Sequence, residues 1–136
     1  MRPITAVTIA MILLSSTSTA RPHEHCRGTE AHDMLKECLY RHYLTTVRHV
    51  ADAYKAALVR VETSGQSKAV IRDWTRVLQD THGRWLAFRD ADCNRPIRFE
   101  MMQQPELIGI MHLRCRIALT DARLNALKTR YSKPAE

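Results

Sequence analysis

Glu30 to Val61 reads EAHDMLKECLYRHYLTTVRHVADAYKAALVRV, and its spacing decides the fold class. Ala31, Met34, Leu35, Cys38, Leu39, Leu44, Val47, Val50, Ala51, Tyr54, Leu58 and Val61 recur at i, i+3 and i+4, with charges on the other face. That is the period of an amphipathic helix. Thr63-Ser64-Gly65-Gln66-Ser67 stops it with a glycine and turn formers. A second stripe follows at Val70, Trp74, Val77, Leu78, Thr81, Trp85 and Phe88, and ends near Cys93-Asn94-Arg95-Pro96. Arg95 precedes a proline, which biases it away from helix. Ile97 to Pro105 reads as a connector with room for a short helical turn. The third stripe is Leu107, Ile108, Met111, Cys115, Ala118, Leu119, Ala122 and Ala126, with Leu127 beside it. No useful strand alternation occurs. The expected fold is all-α, a three-helix antiparallel bundle.

Before the first helix the chain changes character. Arg2 supplies a positive charge, Ile4 to Leu14 is apolar but for Thr5 and Thr8, and Ser18-Thr19-Ala20 ends in a small-x-small pattern. This is the order of a secretory signal peptide, so residues 1–20 are expected to be removed and 21–136 to form the mature domain. The 11-residue apolar run is well short of the roughly 20 needed to span a bilayer. No Leu-small-small-Cys box precedes Cys26 for lipid attachment, and no later stretch is apolar enough to span. The expected location is the periplasm or the exterior. The full chain carries a formal charge of +7, and losing Arg2 with no acid leaves +6.

Four cysteines behind an export signal read as a disulfide framework of two bridges. Zinc needs closer pairs than the gaps of 11, 54 and 21 residues present here. Arg21 to Thr29 reads as an extended polar lead-in. In an up-down-up bundle, Cys38 lies about two turns into the first helix, Cys115 about two turns into the third, and Cys93 at the end of the second. With Cys26 in the lead-in, all four gather at one end. One helix carrying both Cys26 and Cys38 would separate them by roughly 18 Å. The preferred pairing is therefore Cys38–Cys115 and Cys26–Cys93. Cys93–Cys115 with Cys26–Cys38 stays open, since a folded-back lead-in allows it.

The most distinctive side chains are Gln79, Trp85, Arg89, Asp90 and Cys93. Trp85 and Arg89 are four apart on a helix, so the guanidinium can lie over the indole. Asp90 and Asp92, near a helix C-terminus, seek a cation, for which Arg95 or Arg123 can serve. Trp85 reads as core and Arg89–Asp90 as a polar clasp beside the disulfides.

The spacing Gln79-x5-Trp85-x3-Arg89-Asp90-x2-Cys93, then Cys115-x3-Leu119-Thr120-x2-Arg123-x3-Leu127, resembles the bacterial lysozyme-inhibitor LprI-like family. The resemblance runs from Cys26 to Leu127 and includes Tyr54. Where that family often has Leu-Asn before the tyrosine this chain has Val50-Ala51, and of a frequent glycine pair only Gly109 stands before the third helix. The resemblance implies a binding protein that inhibits lysozyme or a related cell-wall hydrolase. Inhibition by inserting a basic or polar side chain between catalytic carboxylates points to Arg95, Arg98, Gln103 and Gln104 in the connector. Animal lysozymes are basic, so a +6 domain meets long-range repulsion. The alternative is an envelope accessory domain that binds anionic envelope polymers or an acidic partner protein.

Catalysis is not expected. The histidines (His23, His25, His32, His42, His49, His82 and His112) are scattered, and no serine or carboxylate stands at catalytic spacing with them. Disulfide-bonded cysteines are not nucleophiles. An amino-terminal copper site at Arg21-Pro22-His23 cannot complete, because Pro22 has no amide N–H. No cofactor or metal is expected, and export disfavours nucleic acid as a partner despite the basic balance.

Overall fold

The computed structural model describes Cys26 and residues 31–132. The expected signal segment, most of the lead-in and residues 133–136 of the tail lie outside the described residues. Three long helices carry the chain: α1 (His32–Glu62), α2 (Lys68–Asp92) and α4 (Ile108–Tyr131). Between the last two lie a short helix, α3 (Arg95–Glu100), and a 3-10 turn at Pro105–Leu107. The fold is an all-α bundle with two disulfides.

Local signals set the boundaries. The N–H of Thr63 still reaches the carbonyl of Val59, and Gly65 then takes a φ of +74°, which reverses the chain where a side chain would be strained. Ser67 restarts the helix by accepting the N–H of Val70 at 3.4 Å. The break after Cys93 is shorter than the Arg95-Pro96 pair suggests. Arg95 opens α3, and Pro96 occupies its first turn, where a missing N–H is harmless.

α1 and α4 run parallel and share most of the core. Leu39 packs with Ile110, Leu113 and Ile117 at one end. Val50, Ala57 and Val61 pack with Leu124 and Leu127 at the other, joined by Leu78 of α2. α2 runs antiparallel to both: Tyr54 meets His82, Arg89 meets Tyr43, and Trp74 meets Tyr131.

Two of the three stripes are rotated from their expected faces. In α4 the buried line is Ile110, Leu113, Ile117, Thr120, Leu124 and Leu127, so the face through Met111, Cys115, Ala118 and Ala122 is not the main core face. α4 touches both α1 and α2, and its apolar residues lie round most of its circumference. In α2 only Leu78 and Arg89 are fully buried. Val70, Trp74, Val77 and Phe88 are exposed. The inward side of α2 instead carries Leu78, His82, Trp85 and Arg89, spaced at four, three and four.

The expected disulfide pairing is overturned. The bridges are Cys26–Cys38 (Cα–Cα 5.9 Å) and Cys93–Cys115 (Cα–Cα 5.5 Å), not Cys38–Cys115 and Cys26–Cys93. The separation that argued against Cys26–Cys38 applies only within a helix, and α1 begins at His32, after Cys26. Both bridges still lie in the half of the bundle that contains the starts of α1 and α4 and the end of α2. No helix among the described residues is long and apolar enough to cross a membrane.

Candidate functional site

The inward face of α2 builds a polar layer between the two halves of the core. His82 stacks on Tyr54 of α1, with ring centroids 4.0 Å apart and planes within 10°. Trp85 follows one turn on, 5.6 Å from His82. The Arg89 guanidinium lies 5.2 Å from the Trp85 ring centre and 5.8 Å from that of Tyr43. Arg123 from α4 approaches Trp85 to 5.7 Å. One indole thus holds two cations, an arrangement favoured by the negative face of the ring.

Arg89 is 7 % exposed, and a charge so placed requires partners. Its Nε and Nη2 both donate to Asp90 Oδ1, at 2.9 and 2.8 Å. Arg116 brings its Nε to 3.9 Å from the same oxygen. The cations beside Asp90 are therefore Arg89 and Arg116, in place of the expected Arg95 or Arg123. Thr120 is fully buried, and its hydroxyl donates to the Arg116 carbonyl at 2.5 Å. Gln79, the first residue of the motif, faces solvent and takes no part in the layer.

Electrostatics in the layer disfavour added positive charge. The His82 pKa is lowered below its ordinary value first by burial, then by Arg123 and Arg89. Arg123 is lowered in the same sense by burial and by Arg130. Neutral imidazole, indole and guanidinium here stack and pair rather than forming a line of proton donors and acceptors. The layer's residues at 82, 85 and 89 share one helical face, so His82 was within reach of the same spacing that singled out Trp85 and Arg89.

A different surface is made by the connector. Cys93, at the end of α2, is bridged to Cys115, and Ile97 is buried, so α3 is fixed at both places to the bundle. Arg95, Arg98, Gln103 and Gln104 are all exposed along it. Beside them stand Phe99, 72 % exposed, and Met102, 62 % exposed. The four polar residues singled out from sequence therefore lie on one short segment, and the apolar pair among them had not been singled out. Three surface ion pairs elsewhere, Glu37–Arg41, Asp73–Arg76 and Asp80–Arg84, are within single helices and well exposed. Such pairs contribute little. No group of three or more His, Cys, Asp or Glu side chains is placed to hold a metal ion among the described residues.

The protein is thus a small helical bundle with two disulfides, an arginine–aromatic layer between the halves of its core and an exposed connector that starts beside one bridge. Residues 26–127 match the family model described as "Lysozyme inhibitor LprI", and the chain belongs to that family. Neither a search of curated proteins nor one of solved structures finds a match.

Proposed function

We propose that the protein is an exported inhibitor of lysozyme or a related cell-wall hydrolase, and that the connector from Arg95 to Gln104 is its contact surface. The observation that carries this reading is the exposed Phe99 and Met102, following the exposed Arg95 and Arg98 on a connector whose helix α3 starts just after the Cys93–Cys115 bridge. Aromatic, methionine and arginine side chains are the ones enriched at protein interfaces. Fixing the segment beforehand lowers the ordering cost of association. An arginine beside it can enter a cleft lined by two carboxylates. Family membership and two disulfides support export, and residues 1–20 have the order of a signal peptide.

The test is a cell-wall lysis assay with the purified, oxidised mature protein against several lysozymes. Slower lysis at micromolar protein, restored by Phe99→Asp or Arg98→Glu, is expected. Unchanged lysis rates with every enzyme sink the proposal. Salt-sensitive retention on peptidoglycan or lipopolysaccharide with no inhibition favours the envelope-binding alternative instead.

A further inference from the structure

At the end of the bundle away from the connector, α2 and α4 part to leave a hollow of about 110 Å³. Trp74 and Thr81 of α2 line it, with Arg123, Leu127, Arg130 and Tyr131 of α4. Arg123 and Arg130 are seven residues apart on one helix, so two turns bring them to the same face. Arg123 is the more constrained of the two. Its Nε and Nη2 are buried and have no hydrogen-bond acceptor among the described residues. Its guanidinium carbon lies 5.7 Å from the centre of the Trp85 ring, whose face attracts the cation. Arg130 adds a second positive charge close enough to disfavour the first. No aspartate or glutamate lines the hollow.

The two buried Arg123 nitrogens are closed to a water-sized atom, but Arg123 and Arg130 both line the hollow and no carboxylate does. The hollow thus presents two positive charges with no anion among its lining residues, and a carboxylate is the group that matches a guanidinium. The size also fits. A water occupies roughly 30 Å³ of liquid, so the hollow accommodates a carboxylate with one or two methylenes. Trp74 and Tyr131, whose rings lie 6.5 Å apart, and Leu127 give those methylenes an apolar wall. We propose that this hollow is a carboxylate-binding site, with Arg123 and Arg130 engaging the oxygens and the Trp74–Tyr131 wall packing the adjoining methylenes. The carboxylate belongs either to a free small acid or to an acidic side chain of a protein partner. The site is at the opposite end from the connector, so it stands or falls separately from the inhibitor proposal.

Trp74 lines the hollow and Trp85 backs Arg123, and these are the two tryptophans of the chain. Indole fluorescence of the mature oxidised protein is therefore the readout, at fixed ionic strength. Titration with acetate and N-acetylglutamate is expected to give saturable change at about millimolar concentration or above, as the ceiling on very small ligands dictates. Acetamide, with the shape of acetate and no charge, is expected to give none. Arg130→Gln, at an exposed position that leaves the fold intact, is expected to weaken binding about tenfold, the equivalent of roughly 1.4 kcal/mol. Arg123→Gln should abolish it while helical circular dichroism is retained. A capped peptide carrying one glutamate distinguishes the sources: tighter binding than N-acetylglutamate identifies a protein side chain, and equal binding identifies a small acid. An absent response to every carboxylate, or an equal response to acetamide or chloride, overturns the proposal.

Discussion

The Arg89 guanidinium sits 5.2 Å over the Trp85 ring while its Nε and Nη2 both bond Asp90 Oδ1. The two halves of this ion pair are unequally buried: the Arg89 side chain is 9 % exposed and that of Asp90 51 %. Removing the aspartate leaves a buried cation with aromatic neighbours and no close anion. Removing the arginine leaves an anion that water can reach. Asp90→Ala is therefore expected to destabilise by about 1–3 kcal/mol. Arg89→Met, which keeps the length and packing of the stem, should cost less. Urea midpoints at constant slope measure both, and the reverse order would refute the argument.

The disulfides close loops with sequence separations of 12 and 22. Chain-entropy arguments assign each about 3 kcal/mol, slightly more to the longer. Opening Cys93–Cys115 also frees the link between α2, α3 and α4, whereas Cys26–Cys38 ties the lead-in to α1. Replacing Cys93 and Cys115 by serine is thus expected to lower the urea midpoint more than replacing Cys26 and Cys38. Mass spectrometry of non-reduced peptides checks the connectivity, and a Cys38–Cys115 peptide would contradict it.

The class of fold was readable because Leu39, Val50 and Val61 fall on the stripe of α1 that the core uses. Helix depth also placed the four cysteines in one half of the bundle. It did not pair them correctly, because Cys26 precedes the helix and the rise per residue does not bind it. The phase of α4 was hidden for a different reason. A helix contacted from two sides has apolar residues on both, and Thr120, polar by type, occupies a fully buried position through its bond to the Arg116 carbonyl. In α2 the inward face includes His82 and Arg89, which a search for apolar residues passes over. The polar connector residues were legible as a group, but the exposure of Phe99 and Met102 depends on how α3 is anchored.

Stability should depend on pH through His82 and His112. Both have folded pKa values below the ordinary 6.5: His82 through burial, Arg123 and Arg89; His112 through burial, Arg116 and Arg98, opposed by the Asn94 backbone. Below 6.5 the unfolded chain then binds more protons than the folded one. The stabilisation is complete above that value and is lost as pH falls through the lower folded values. Melting temperature is expected to fall between pH 7.5 and 5. His82→Phe, which keeps a ring against Tyr54 and cannot protonate, should flatten part of that slope.

Two glycines with open space around them give opposite expectations. Beyond the adjoining backbone, nothing lies within 4 Å of where a β-carbon would stand at Gly65 or at Gly83, so neither substitution meets a clash. What differs is the backbone. Gly65 holds a φ of +74° in the turn between α1 and α2, a region in which alanine is strained. Gly83 lies inside α2, where glycine is about 0.8–1 kcal/mol less favourable than alanine. Gly65→Ala is therefore expected to lower stability by about 1 kcal/mol, and Gly83→Ala to raise it by about 0.5–1 kcal/mol. The pair tests the turn itself: if both variants gain stability, residue 65 is not held in the left-handed conformation, and the entry into α2 is built differently. If Gly83→Ala loses stability, the exposed face of α2 meets something in solution at that position.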